Sequence, residues 1–173
     1  MATYGPASAD ALAVLDEMKQ AHHKRLVETE VTILLQAAYG KRDDESGELV
    51  SPALKWAGYP AVALARVTSL ADRQAGVEDC RIQYDADLWG SWTISQKRAL
   101  LDHELSHFEL VVDDEGNIKG DDLGRPKLKL RPHDAQVGAF FDIIHRHGRD
   151  AMEAMGLMDL CERIPKAVYM EEQ

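Results

Sequence analysis

The pentapeptide His103-Glu104-Leu105-Ser106-His107 places two imidazoles four residues apart, with a carboxylate beside the first. Each residue of an α-helix turns the chain by about 100°, so residues four apart project from nearly the same side, one turn along. Both histidine rings can then reach one cation, and Glu104 lies where it can take a proton from water held by that cation. The pattern is typical of half of a zinc hydrolase site.

The residues before the motif predict the helix that it requires. Residues 93–96, Thr-Ile-Ser-Gln, fit the capping box, in which the Thr and Gln side chains satisfy free backbone groups at a helix start. We therefore expect the helix to begin near Thr93. One stripe of this helix recurs at steps of three and four and is expected to pack, while the histidines project from the opposite side. The stripe consists of Ile94, Arg98, Leu101, Leu105 and Phe108.

A catalytic zinc site takes three protein ligands and leaves the fourth position for water. Among the later histidines, His145 and His147 end an apolar helical stripe just before Gly148, which favours helix C-terminal residues that interact with the helix dipole. His133 instead follows an Arg-Pro pair that must be extended, at a rigid junction before the next predicted helix. We predict His133 as the third ligand.

Two interpretations of the site remain open at this stage. Asp134 can cap the next helix or hold His133 in the ligating tautomer. In a purely structural zinc site, however, Asp134 or Glu109 would act as a fourth protein ligand and exclude water.

In the hydrolytic interpretation, zinc lowers the pKa of its bound water toward neutrality, Glu104 accepts the proton, and the leaving amine then receives it. An oxyanion donor is also expected. Tyr84, Arg131 and His145 are the candidates, and the spacing does not choose among them.

The motif and the segments around it form a longer pattern, which consists of residues 79–82, 87–89, 96–107, 127–130 and 131–134. Together they resemble the phage metallopeptidase domain, a group of HExxH proteins related to the SprT-like zinc proteases. The resemblance implies a zinc-dependent peptidase, with His103, His107 and His133 as ligands and Glu104 as general base.

The chain of 173 residues, 45% apolar, is long enough for one domain with a real core. We expect an α+β fold, a minimal zincin-like domain in which a small mixed sheet packs on helices and the HExxH helix forms the cleft floor. A single domain over 1–173 is predicted, with 1–7 and 166–173 flexible. The expected elements are a first helix from Ser8 or Asp10 through Leu26, strands at 31–39, 60–68 and 82–85, a hairpin of 109–113 with 127–131, a helix over 134–147, and a helix over 149–164 broken near Gly156.

The formal net charge of −10 opposes non-specific attraction to nucleic acid, although a local basic row of Lys127, Lys129 and Arg131 on one strand face could override it. We expect a protein or peptide substrate, no membrane association and a cytoplasmic location, which is the host cytoplasm if the chain is phage-encoded. Cys80 and Cys161 are expected to be reduced thiols. The acidic composition also supports an alternative: a binding or inhibitor protein with a structural or vestigial zinc site.

Overall fold

The computed structural model describes residues 2–133, 141–150 and 152–162. Residue contacts separate two units, Met1–Pro132 and His133–Gln173. The number of independent domains stays a prediction. Within the described residues, no helix is both long and apolar enough to cross a bilayer.

The larger unit combines short helices with short strands. Its described helices are α1 (Ala9–His22), α2 (Lys24–Glu28), α3 (Leu70–Gln74), α4 (Ala86–Trp89) and α5 (Ile94–Ser106). Its described strands are β1 (Thr3–Pro6), β2 (Ile33–Tyr39), β3 (Lys41–Arg42), β4 (Leu49–Ser51), β5 (Leu54–Trp56), β6 (Tyr59–Ala61), β7 (Ala63–Val67), β8 (Cys80–Asp85), β9 (Phe108–Leu110) and β10 (Leu128–Leu130).

The main sheet has the strand order β1-β2-β8-β7. β2 and β8 run parallel, while β1 and β7 are antiparallel to their neighbours. The remaining strands form three antiparallel pairs, β3 with β4, β5 with β6, and β9 with β10. A small mixed sheet with helices confirms the predicted α+β class.

Different groups of apolar residues pack on the two faces of the main sheet. Alternate residues of β8 lie in the main core, where Cys80 and Ile82 are fully buried and Tyr84 is 2% exposed. Helices α1 and α5 contribute Leu15 and Leu101 to the same core. On the opposite face, a second small cluster joins the β5–β6 hairpin to the sheet through Ala38, Ala53, Leu54, Ala61 and Leu64.

Two ion pairs connect α1 to α5 above this core. Lys97 Nζ lies 3.1 Å from Asp10 Oδ2, and Arg98 Nη2 lies 2.9 Å from Glu17 Oε1. Hydrogen bonds from Ser8, Trp89 and Lys97 hold the pKa of Asp10 well below its usual range. The motif helix is therefore attached to α1 by apolar packing and by charge.

The N-terminal region corrects two expectations. Residues 1–7 were predicted to be flexible, but Thr3–Pro6 pair with β2 in the sheet, which satisfies their backbone hydrogen bonds. The single first helix is also wrong, because α1 ends at His22 and α2 begins at Lys24, with His23 in a non-helical conformation. Leu26 is buried as expected, whereas Leu12 is 49% exposed.

The other strand predictions differ mainly in their bounds. The segments 31–39 and 82–85 correspond to β2 and β8, and the predicted hairpin corresponds to β9 and β10. Residues 60–68 are divided between β6 and β7, because Tyr59–Ala61 turns back on β5 before the chain joins the main sheet. The strand prediction for this segment is therefore confirmed, with a break at Val62.

The second unit contains α6 (Phe141–His147), a 3₁₀ turn (Gly148–Asp150) and α7 (Met152–Glu162). α7 continues through Gly156, so the predicted break there is wrong. A helix tolerates one interior glycine at a cost of about 1 kcal/mol, and Met155, Leu157 and Met158 favour helix on either side. The start of the predicted 134–147 helix, the Asp134 cap and the 166–173 tail lie outside the described residues.

Candidate metal centre

The motif helix begins where its sequence predicts. Thr93 Oγ1 accepts a hydrogen bond from Gln96 N at 3.3 Å, and Thr93 N donates to Gln96 Oε1 at 2.9 Å. This capping box starts α5, which continues to Ser106 and is capped by His107. The helical spacing required by the HExxH motif is therefore present.

The packed face of α5 is narrower than its stripe suggests. Leu101 and Leu105 are fully buried and Phe108 is 6% exposed. Ile94, in the first turn, is 49% exposed, and Arg98 pairs with Glu17 at the surface. The buried side chains therefore lie in and just after the C-terminal half of the helix, which contains the motif.

The three predicted metal ligands come together. The ring centroids of His103 and His107 are 5.1 Å apart, with an interplanar angle of 84°. His133 joins them, and one candidate ligand atom from each of the three residues lies within 4.8 Å of the others. His103 and His133 are exposed and His107 is half-buried, so the group is open to solvent.

A backbone carbonyl fixes the orientation of His107. Its Nδ1 lies 2.8 Å from the Arg131 carbonyl oxygen, which only accepts hydrogen bonds, so Nδ1 donates and the proton lies on that nitrogen. In the neutral ring, Nε2 is then the nitrogen with a lone pair for a metal. Such a carbonyl partner is common for metal-ligating histidines.

A second hydrogen bond between His107 and Arg131 continues the β9–β10 ladder toward His133. Arg131 N donates to the His107 carbonyl at 2.8 Å, one step beyond the Leu130–Phe108 pair of the ladder. Residue 133 follows two positions later. The hairpin therefore fixes both the His107 tautomer and the point from which the third histidine leaves the strand.

Glu104, the predicted general base and the neighbour of His103 in the sequence, is buried and only 4% exposed. Burial raises the pKa of its carboxyl group to about 7, since a carboxylate is poorly solvated there. A carboxyl group with a pKa near neutrality can both accept and release a proton under physiological conditions. This is the property required of a general base that later acts as an acid.

His23 lies against the motif helix from the α1–α2 junction. Its Nε2 is 2.7 Å from Asp102 Oδ1, in the residue that precedes the first motif histidine. Sequence periodicity places His23 in an ordinary helix and does not indicate this contact, which spans 79 residues. Among the described residues, the candidate ligand group includes neither His22 nor His23.

A buried ionic network anchors the long connection between β9 and β10. Asp79, 3% exposed, accepts from the Thr32 backbone at 2.8 Å, from the Thr32 hydroxyl at 2.9 Å and from Arg73 Nη2 at 2.5 Å. Arg125, in the connection, also pairs with Asp79, and Arg73 Nη1 lies 2.6 Å from Asp121 Oδ2. These residues attach the hairpin to α3 and to the start of β8. Sequence spacing did not indicate the network, because Thr32 and Arg125 are each more than 40 residues from Asp79.

Two other candidates have different roles. Tyr84, considered as an oxyanion donor, is buried, and its hydroxyl lies 3.2 Å from Ser8 N, which donates to it. It is therefore a core residue. Glu109, considered as a fourth ligand, pairs with Lys129 at 3.2 Å and does not belong to the ligand group.

Among the described residues, the candidate ligand group has three members and no fourth. His145 and His147 lie at the end of α6, as predicted, and are exposed there. Asp134 lies outside the described residues. The donor set is thus three imidazoles, a set that suits zinc and other first-row divalent metals.

An α+β fold with three clustered histidines, two of them from an HExxH helix, defines a candidate metalloenzyme. The chain belongs to the family described as "Putative phage metallopeptidase", whose family model matches residues 13–164. The match includes the whole of α5, the β9–β10 hairpin and His133, and it confirms the resemblance noted in the sequence. No curated protein and no solved structure shows significant similarity to the chain.

Proposed function

We propose that the chain is a zinc-dependent peptidase in which His103, His107 and His133 hold the ion and Glu104 is the general base. The observation that supports this most strongly is the convergence of the three imidazoles beside a buried carboxyl group of raised pKa. Three histidines are a known ligand set for catalytic zinc, with the fourth position left for water. The family to which the chain belongs also supports a metal-dependent peptidase.

When bound, Zn²⁺ supplies Lewis acidity, which polarises a peptide carbonyl and acidifies water. Glu104 accepts the proton that the attacking water loses, and it can then deliver that proton to the nitrogen of the leaving amine. The Arg131 carbonyl keeps the His107 ring in the orientation that directs Nε2 to the ion.

A peptidase role is favoured over a purely structural zinc site by the composition of the described ligand group. A structural site is closed by four protein ligands, whereas three described residues converge here and two of them are exposed. Glu109, which was considered as a fourth ligand that would exclude water, is paired with Lys129. Peptide or protein is the substrate class that we propose.

Replacement of Glu104 by Gln tests the proposal. The amide retains the size of the side chain but cannot take up the proton, so we expect cleavage of a labelled, unfolded protein such as casein to fall by about 10²–10⁴-fold. Zinc content, measured by elemental analysis, should stay equimolar. Glu109→Gln is a matched control on the adjoining strand and should retain activity. Undiminished cleavage by the Glu104→Gln protein would exclude Glu104 as the base.

A further inference from the structure

Strand β7 borders the sheet beside the motif helix. It pairs with β8 along one side, and no described strand pairs with its other side. β7 also contacts α5 and β10. An extended segment could pair with this open side, since an edge strand presents unpaired backbone donors and acceptors.

Two arginines lie next to each other on the face of the sheet away from α5. The antiparallel register places Arg66 of β7 directly opposite Arg81 of β8, so both side chains share one face. The neighbouring positions Ala65 and Ile82 face the main core, which fixes the arginines on the other side. Arg66 is exposed and Arg81 is half-buried.

This arginine pair has no counter-charge within the described part of the chain. None of the ion pairs there includes Arg66 or Arg81, although the chain has 30 acidic residues against 20 basic ones. The Nε atom of Arg81 is buried and has no hydrogen-bond partner. Like charges directly opposite each other in a sheet are unfavourable, so an anion placed beside them would relieve the repulsion.

We infer that Arg66 and Arg81 select a substrate segment that carries an acidic side chain. This inference rests on the proposed peptidase function and names its substrate class: an extended peptide, paired with the open side of β7, that contains Asp or Glu. Every second side chain of such a peptide lies on the face that holds Arg66. A carboxylate there can accept paired hydrogen bonds from a guanidinium group.

A peptide carboxylate fits this site better than a nucleic acid does. The two arginines neutralise one or two negative charges, whereas a nucleic acid presents a phosphate at every nucleotide. The net charge of −10 repels such a polyanion as a whole. Leu64, the next residue of β7 on the same face, adds apolar surface that suits a peptide side chain.

The inference is tested by peptide binding to the zinc-loaded Glu104→Gln protein. This variant is used because it should bind the peptide without cleaving it. Short labelled peptides are prepared in pairs that differ only by Glu or Gln at one scanned position, and their affinities are measured by fluorescence anisotropy. At one or more positions we expect the Glu peptide to bind about tenfold more tightly, as for a hydrogen bond to a charged group.

On the same background, Arg66→Gln should remove this preference, and Arg81→Gln should weaken it. Arg25→Gln is the matched control, because Arg25 is an exposed arginine on α2, outside the sheet. Thermal unfolding followed by circular dichroism establishes that each variant is folded. If Arg81→Gln does not fold, the test depends on Arg66→Gln alone, because Arg66 is exposed and its replacement should not disturb the fold.

Equal affinities for all peptide pairs would overturn the inference, and so would a preference that survives Arg66→Gln. Tighter binding of a single-stranded oligonucleotide, lost in Arg66→Gln, would overturn it in favour of a phosphate ligand. Cleavage of the same peptides by the native protein is scored separately. Charge-selective binding without any cleavage would therefore contradict the proposed peptidase and not the arginine site.

Discussion

Replacement of Asp79 by Asn should destabilise the fold strongly, because it breaks a buried ionic network. The Asp79 side chain is 4% exposed and that of its partner Arg73 is 6% exposed. Asn has nearly the same volume but removes the charge, so Arg73 would keep only Asp121 as an ionic partner. Loss of one member of a buried ion pair costs about 3–5 kcal/mol, far more than the 0–1 kcal/mol or so of an exposed pair.

Urea unfolding followed by circular dichroism measures this loss. For a chain of this length, the expected change in the free energy of unfolding corresponds to a fall in melting temperature of roughly 6–20 °C. Asp114→Asn, at an exposed carboxylate in the β9–β10 connection, is the control and should stay within about 0.5 kcal/mol of the native protein. A loss below about 1 kcal/mol for Asp79→Asn would refute the assignment of this network as a buried anchor.

The effect of Asp79→Asn on the free energy of unfolding should depend on pH. Burial raises the pKa of Asp79, but hydrogen bonds from Thr32 and the charge of Arg73 outweigh it, so the folded-state pKa lies below its usual value. A depressed pKa stabilises the fold above the unfolded value of about 3.9, and the stabilisation disappears as pH falls through the folded value. The stability difference between the native protein and Asp79→Asn should therefore be constant near neutrality and shrink below about pH 4. A difference that grows on acidification would contradict the assigned direction.

The remaining predictions concern the ligands and the motif helix. His133→Ala should weaken zinc binding in a chelator competition by more than about 10–100-fold, which is the loss expected for a residue that only hydrogen-bonds to a ligand, while His145→Ala should not change it. Equal effects of the two substitutions would contradict His133 as a ligand. Thr93→Ala should cost about 1 kcal/mol in urea unfolding through loss of the capping box, and an unchanged midpoint would contradict that role. Leu101→Ala should cost about 2–5 kcal/mol because Leu101 is fully buried, and a surface-like loss would contradict its place in the core.

Local sequence signals predicted the part of the protein that contains the chemistry. The capping box at Thr93 fixed the start of α5, since both partners lie within one turn of the chain. The extended pair before His133 and the hairpin signals placed the third histidine after β10, and the structure brings it to the motif. These features depend on residues close in sequence, which is why their patterns were sufficient.

Contacts between distant residues could not be predicted in this way. The pairing of β1 with β2, the contact of His23 with Asp102 and the contacts of Asp79 with Thr32 and Arg125 each join segments far apart in the chain. The Arg66–Arg81 pair became visible only through strand register, because the two residues belong to different strands. Burial of Glu104 also depends on tertiary packing, which helical periodicity does not determine.

Coordination of zinc is the most direct test of the central proposal. Protein supplied with excess metal and then dialysed should contain equimolar zinc by elemental analysis. X-ray absorption and a crystal structure of that protein should show nitrogen atoms of His103, His107 and His133 at about 2.0–2.1 Å from the ion, with water as the remaining ligand. Protein that retains no zinc, or an ion closed by a fourth side chain in place of water, would contradict the proposed peptidase.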